Sequence, residues 1–195
     1  MRGHTGPRVT TDSLDAGGVV EAFAGHLRSE GASVHHTTTY ELPGTLSSII
    51  DDHGHRRVVV PIALDDTWLT HLHDRMQICS DIARFSTHEL ETFDVVITAA
   101  AVAIADTGTI VLDHRRDQGR RALTLVPPHH LCVVRTDQIV RSGPEALARL
   151  DGSLSLTHIA GPCARPEVEP GRLDDLDRAR RLSVVVLDGG RASPR

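Results

Sequence analysis

The sequence contains no lysine and no asparagine, so all 21 residues in its lysine-plus-arginine count are arginines. These absences exclude a Schiff-base lysine, the lysine of a Walker phosphate-binding loop, and a Cys-His-Asn triad. Aromatic residues make up only 3% of the chain and the net charge is −5. Nucleic-acid binding depends on aromatic rings that stack on bases and on a basic face that contacts phosphates. This chain has few such rings and a net negative charge, so we expect no nucleic-acid partner.

Cysteine is also scarce, since the chain has only Cys79, Cys132 and Cys163, with no Cys-x-x-Cys pair. An odd number of dispersed cysteines argues against a disulfide framework, and an iron–sulfur cluster normally takes four. We therefore expect neither a disulfide framework nor an iron–sulfur cluster in this chain.

No apolar run approaches the roughly 18 residues of a membrane helix, and the first residues have no apolar stretch of signal-peptide length. The sequence thus predicts a cytoplasmic protein without a membrane partner.

Short apolar runs dominate the remainder of the chain, which we interpret as one domain over residues 1–195, with residues 1–12 and 189–195 flexible. Runs rich in β-branched residues and without in-and-out alternation are typical of strands covered on both faces. We expect an α/β fold in which these runs form one mainly parallel sheet flanked by helices. The runs are residues 58–60, 95–97, 110–112, 131–134 and 184–187.

Helices are predicted where apolar residues recur at helical spacing or where capping residues occur. The predicted helices are residues 14–30, a segment opened by Pro43, residues 87–92 and residues 144–150. Residues 32–38 look like a further strand, whereas residues 113–121 form a polar, charged excursion.

The turn Asp106-Thr-Gly-Thr109 separates two apolar segments. Gly108 allows a tight turn, while Thr107 and Thr109 offer hydroxyl and amide donors to a carboxylate or phosphate. The alternative is an ordinary hairpin turn, for which this composition is also typical. We name Asp106, Thr107, Gly108, Thr109, His129 and Arg165 as candidate anion- or substrate-binding residues. His129 opens a strand and is expected to titrate near neutral pH.

Thirteen histidines include His53-x-His55, His71-x-His73 and two adjacent pairs. A zinc site needs three or four converging ligands, and no convergence is visible in the sequence. We therefore expect no metal and no cofactor.

Cys163 is a candidate reactive thiol beside Arg165, although a small loop residue is the simpler interpretation. The Arg115-Arg116 and Arg120-Arg121 pairs suit an acidic ligand or, more simply, a solvated loop.

Two motifs resemble a known family. Ala103-Ile-Ala-Asp-Thr-Gly-Thr109 is followed by Pro127-Pro-His-His130 and an apolar strand, in the order and spacing of the LutC/YkgG family of lactate-utilisation proteins, the LUD domain. The resemblance is specific over residues 95–140. It implies a fold like that of NagB, RpiA and the CoA transferases. It also implies a role in oxidising L-lactate to pyruvate beside an iron–sulfur protein and a cysteine-rich protein.

The chain departs from the family pattern at three places. Ala101 stands where the family usually has Asp, and Gly161-Pro-Cys-Ala-Arg165 stands where it has Gly-Pro-Ser-Arg. Residues 175–179 lack the usual late histidine.

The first functional hypothesis is a subunit or accessory protein of a lactate-utilisation system. The second is a stand-alone enzyme on a small anionic metabolite, such as a sugar phosphate or CoA ester, with Asp106 or His129 as acid/base.

Overall fold

The computed structural model describes residues 16–152, 154–161 and 181–189. We expected residues 1–12 and 189–195 to be flexible, and all of these except Gly189 lie outside the described residues. Cys163 and Arg165 lie outside them as well. Among the described helices, none is both long and apolar enough to cross a membrane.

The core of the fold is a six-stranded, wholly parallel sheet, which confirms the α/β prediction. Its strands are β1 (Ser33–Thr38), β2 (Arg57–Val60), β3 (Gln77–Ser80), β4 (Val95–Ala99), β7 (His129–Arg135) and β10 (Arg181–Asp188). Their order across the sheet is β1-β10-β7-β4-β2-β3. Valines and isoleucines of the four inner strands are buried from both sides, which is why the sequences of these strands do not alternate.

A second sheet of four short strands packs beside the first. Its strands are β5 (Val102–Ile104), β6 (Thr109–Leu112), β8 (Ile139–Val140) and β9 (Thr157–Ile159), in the order β8-β5-β6-β9. The expectation that residues 110–112 join the main sheet is therefore wrong, because β6 pairs antiparallel with β5 and β9. Ile110 and Leu112 pack into the core that covers the main sheet, whereas Val111 packs with Ala146 on the other side. Burial from both sides produces the same continuous apolar run in an antiparallel strand.

The two faces of the main sheet are covered by helices α1 (Ala16–Ser29), α2 (Leu42–Asp52), α3 (Thr87–Leu90) and α4 (Arg121–Leu125). Helix α5 (Gly143–Arg149) packs instead on the second sheet, against β5 and β8. Phe23 and Leu27 of α1 pack with the second sheet against alternate residues of β7 and β10. Leu46 and Ile50 of α2 cover the opposite face. The four predicted helices are confirmed to within a few residues, while α4 begins inside the predicted polar excursion.

The carboxyl ends of all parallel strands lie along one edge of the main sheet, and the loops that follow them meet there. Pro61 follows β2, Asp81 follows β3, and Ala100 follows β4. Ligands of open α/β sheets bind in crevices beyond this edge. The loop of residues 113–121, which follows β6, reaches the same edge because its backbone bonds there. Ala63 donates to the Arg116 carbonyl at 3.1 Å, and Ala99 donates to the Asp117 carbonyl at 3.1 Å.

Candidate functional site

A cleft of about 390 Å³ lies beyond the carboxyl ends of β2 and β3, with the loop of residues 113–121 as one wall. We call it the arginine cleft, because five of its ten lining residues are arginines. The lining residues are Pro61, Ile62, Asp81, Arg84, His114, Arg115, Arg116, Gly119, Arg120 and Arg121. Its volume falls within the range of small-molecule sites.

Buried hydrogen bonds hold the loop that forms this wall. The Gln118 side chain accepts from the Asp113 amide at 2.8 Å and donates to the Asp113 carboxylate at 2.7 Å. Both residues are buried. Gly119 has a φ of 75°, and a Cβ there would lie 2.6 Å from the Leu123 side chain. The loop is therefore a packed structure, although its sequence is that of a solvated segment.

Arg120 and Asp81 join the two walls of the cleft. The guanidinium donates from Nε to Asp81 Oδ2 at 2.7 Å and from Nη2 to Oδ1 at 3.1 Å, and it also bonds to the Phe85 carbonyl. The Asp81 side chain is only 6% exposed, and it accepts a further bond from the Phe85 amide. The hydrogen bond to Asp81 raises the pKa of Arg120 above its usual value. The Arg120–Asp81 pair therefore holds the two walls of the cleft together, and neither charge is left to bind a ligand.

The other arginines give the cleft its positive charge. Arg115 pairs with Asp113 at 3.0 Å, so its charge is also compensated. Within the part of the chain that the structure describes, the ion pairs include no carboxylate partner for Arg84, Arg116 or Arg121, all of which are exposed. Guanidinium groups bind carboxylates and phosphates through paired hydrogen bonds. The arrangement can bind a small anion at the edge where α/β sheets bind ligands.

The cleft also includes His114, whose backbone adopts a left-handed φ of 57°. One ring nitrogen bonds to the Gly119 carbonyl at 2.9 Å and the other to the Thr157 hydroxyl at 2.8 Å. With both nitrogens occupied, the ring fixes the loop against β9 and is not free for proton transfer. The described lining therefore supports binding more directly than acid–base chemistry.

The turn Asp106–Thr109 lies elsewhere, against α1. The Thr107 and Thr109 hydroxyls bond to each other at 2.8 Å. Gly108 has a φ of 62°, and a Cβ there would lie 2.7 Å from the His26 Cβ. The close approach that Gly108 permits is thus to a helix. An anion site at Asp106, Thr107 and Thr109 stays a prediction.

His129 opens β7, as predicted, but it lies at the amino-terminal edge of the main sheet. Its ring bonds to His55 and to Ser183 and packs against His53. The structure does not bring it into contact with the turn. Burial, followed by the neighbouring His55, lowers the pKa of His129 to about 3. The expectation of titration near neutral pH is therefore wrong, because the buried ring disfavours the charged form.

Cys132 is the most buried of the described cysteines, and burial raises its pKa to about 12. We therefore expect it to be inert in the folded protein, because the thiolate is the reactive species. In a variant with Cys79→Ser and Cys163→Ser, a thiol reagent should label one group only after denaturant is added. Rapid labelling without denaturant, in a variant with native circular dichroism, would contradict this assignment.

Sequence reasoning missed two features of this region. It interpreted the arginines of residues 113–121 as a solvated loop, and it did not find Asp81 or Arg84. It also missed the meeting of His53, His55 and His129. Gly119 was the available signal, since a glycine among charged residues is typical of a turn with a defined backbone conformation. The burial of Asp113 and Gln118 becomes visible only in the structure.

Comparisons with known proteins place the chain in a family. The model of the LUD domain matches residues 20–162. A protein of Deinococcus radiodurans named "Lactate utilization protein C" is 40% identical over 173 residues, which cover 87% of this chain and 79% of that protein. The crystal structure of a DUF162 family protein from the same organism superposes with a TM-score of 0.75 at 36% identity, covering 89% of this chain and 99% of that one. The resemblance expected from the two motifs is confirmed, and the chain belongs to the LUD domain family.

Proposed function

We propose that this chain is a component of a lactate-utilisation system and that the arginine cleft binds the carboxylate of a small organic acid, lactate or its oxidation product. The observation that supports this proposal is a cluster of three arginines beyond the carboxyl ends of β2 and β3, Arg84, Arg116 and Arg121, for which the described residues supply no carboxylate partner. The similarity to a protein named for lactate utilisation supports the choice of acid.

Oxidation of a hydroxy acid releases electrons, and the proposal assigns their transfer to partner proteins. The chain has three cysteines in all, one fewer than a cluster normally requires, and Cys132 is buried as a protonated thiol. Iron–sulfur and cysteine-rich proteins are the partners that we propose. Co-purification of the tagged chain from cells grown on lactate tests this step, and we expect a co-purifying protein with the visible absorption of an iron–sulfur cluster. A chain that purifies without any such protein would contradict the assignment.

The anion-binding step has a direct test. In a variant with Arg116→Gln and Arg121→Gln, we expect affinity for L-lactate or pyruvate to fall about tenfold or more, since each charge-assisted hydrogen bond contributes measurably to binding. Isothermal titration of both acids into the purified chain measures this loss. The exposed Arg28 on α1 provides the matched control, because Arg28→Gln removes a charge outside the cleft. Equal affinities in the two variants would remove the cleft from the proposal.

The second candidate is a stand-alone enzyme on a phosphorylated or CoA-linked metabolite. The cleft volume and the surplus of guanidinium groups favour it, since phosphate groups suit the same donors. Titration with inorganic phosphate and with coenzyme A separates the two candidates. Binding of coenzyme A at least tenfold tighter than pyruvate, lost in the double arginine variant, would favour this second function over the first.

A further inference from the structure

Three imidazoles meet at the amino-terminal edge of the main sheet, on the side opposite the arginine cleft. His53 directly follows the last residue of α2, His55 lies in the loop before β2, and His129 is the first residue of β7. Each offers a ring nitrogen within 4.8 Å of those of the other two. The ring centroids are 5.0–5.6 Å apart. His53 and His55 are half-buried and His129 is buried, so the cluster is sheltered but open to solvent on one side.

Hydrogen bonds fix two of the three rings in the way that metal-binding histidines are usually fixed. A ligating imidazole commonly donates its second N–H to a carbonyl or other acceptor, which sets the tautomer and the ring orientation. His53 Nδ1 bonds to the Ile49 carbonyl at 2.7 Å, which leaves Nε2 free as a ligand. His129 Nε2 bonds to the Ser183 hydroxyl at 2.9 Å, which leaves Nδ1 for the centre of the cluster.

The spacing of two of the three ring nitrogens, those of His55 and His129, is close to that of a metal site. His55 Nε2 and His129 Nδ1 lie 2.9 Å apart, joined by a hydrogen bond. A tetrahedral ion with bonds of about 2.0–2.1 Å holds its ligand nitrogens about 3.4 Å apart. The two rings therefore need to separate by only about half an ångström for an ion to replace the shared proton. Half-burial of His55 leaves room for this shift.

We propose that His53, His55 and His129 bind one divalent transition-metal ion of the Zn²⁺ type, with a fourth position open to solvent. Three neutral imidazoles without a carboxylate suit zinc, nickel or copper and do not suit Mg²⁺ or Ca²⁺, which prefer oxygen ligands. Two features favour a cation here. The site lies at the carboxyl end of the 11-residue helix α2, where the helix dipole is negative, and the Asp94 carboxylate acts electrostatically on His55.

The site is independent of the proposed lactate function. The ion would join the end of α2, the loop before β2 and the start of β7. Its location at the amino-terminal edge suits a structural role, because ligands and substrates bind at the other edge. A bound ion should therefore raise the melting temperature of the chain through mass action. The expectation from sequence that the chain holds no metal is the opposite of this proposal, so one set of measurements decides between them.

The test uses the purified full chain, stripped with a chelator and then titrated with Zn²⁺ against a chromophoric competitor. We expect one ion per chain and a higher melting temperature with zinc. His53→Ala should lower the affinity by at least about 100-fold, and Ser183→Ala, which removes only the partner of a ligand, by about 10–100-fold. His53→Ala keeps the His55–His129 hydrogen bond and is half-buried, so folding should be retained, as circular dichroism verifies.

His71-x-His73 provides the matched control, because it repeats the spacing of His53-x-His55 with both side chains exposed. The variant with His71→Ala and His73→Ala should bind zinc like the unaltered chain. Substitution by Co²⁺ adds a spectroscopic readout, and we expect the visible bands of a tetrahedral site without thiolate charge transfer. The proposal is overturned by equal zinc affinity with and without His53, by affinity lost only in the control variant, or by a thiolate band that assigns the ion to cysteine.

Discussion

Replacing Arg120 with methionine should destabilise the protein by about 3 kcal/mol. The substitution leaves the Asp81 carboxylate, 6% exposed, with only the Phe85 amide as a described partner. Removing one member of a buried ion pair typically costs about 3–5 kcal/mol, and the lower end applies because a third of the Arg120 side chain is exposed. Urea-induced unfolding at neutral pH measures the loss.

The matched control is Arg135→Met. Arg135 pairs with Asp137 at 3.1 Å, in a pair whose side chains are 45% and 73% exposed. Exposed pairs contribute about 0–1 kcal/mol, so the same substitution here should have little effect. If the two variants unfold at the same urea concentration, the Arg120–Asp81 pair does not hold the walls of the cleft together. The wall would then have to be stabilised by the buried Asp113–Gln118 bonds alone.

Gly108→Ala should cost about 3 kcal/mol in the free energy of unfolding. The left-handed backbone accounts for about 1–2 kcal/mol. The remainder comes from overpacking, since the new methyl group would lie 2.7 Å from the His26 Cβ and 3.1 Å from the Leu27 backbone nitrogen. The backbone of α1 cannot move aside cheaply, because Leu27 is fully buried in the core.

Gly54→Ala separates these two contributions. Gly54 has nearly the same φ, 66°, but nothing lies within 4 Å of the position of its missing Cβ. We expect this variant to lose only about 1–2 kcal/mol. A Gly108→Ala variant as stable as Gly54→Ala, with impaired binding of pyruvate, would instead favour the anion site predicted at Asp106–Thr109.

The fold was predictable because burial leaves a clear mark on sequence. Four of the five apolar runs are strands of one parallel sheet, and each is covered by helices or by the second sheet. The fifth run, residues 110–112, has the same composition for the same reason. Its antiparallel pairing could not be predicted, since a continuous apolar run reports cover on both faces and carries no information about the direction of its neighbours.

The candidate sites were less predictable because tertiary structure assembles them. His55 and His129 are 74 positions apart. The His-x-His spacing therefore indicates that His53 and His55 lie close together, but it gives no sign that His129 joins them. Arg120 meets Asp81 across 39 positions, and neither residue is unusual in its own segment. The turn at Gly108 was visible in the sequence, but its role was not. Its composition suits both an anion site and an ordinary hairpin turn, and only the neighbouring helix indicates why a glycine is required.

The position of β10 has a consequence for how the chain reaches its native state. β10 lies between β1 and β7, so Ser33 acquires its partner, Ser183, only across 150 positions of sequence. During synthesis on the ribosome, β1 would emerge early and would lack this neighbouring strand until the residues between β1 and β10 have been made. Closing so long a loop is slow, which makes insertion of β10 a natural rate-limiting step. Until then, the unpaired edges of β1 and β7 present open hydrogen-bonding groups that chaperones, or other copies of the chain, can contact.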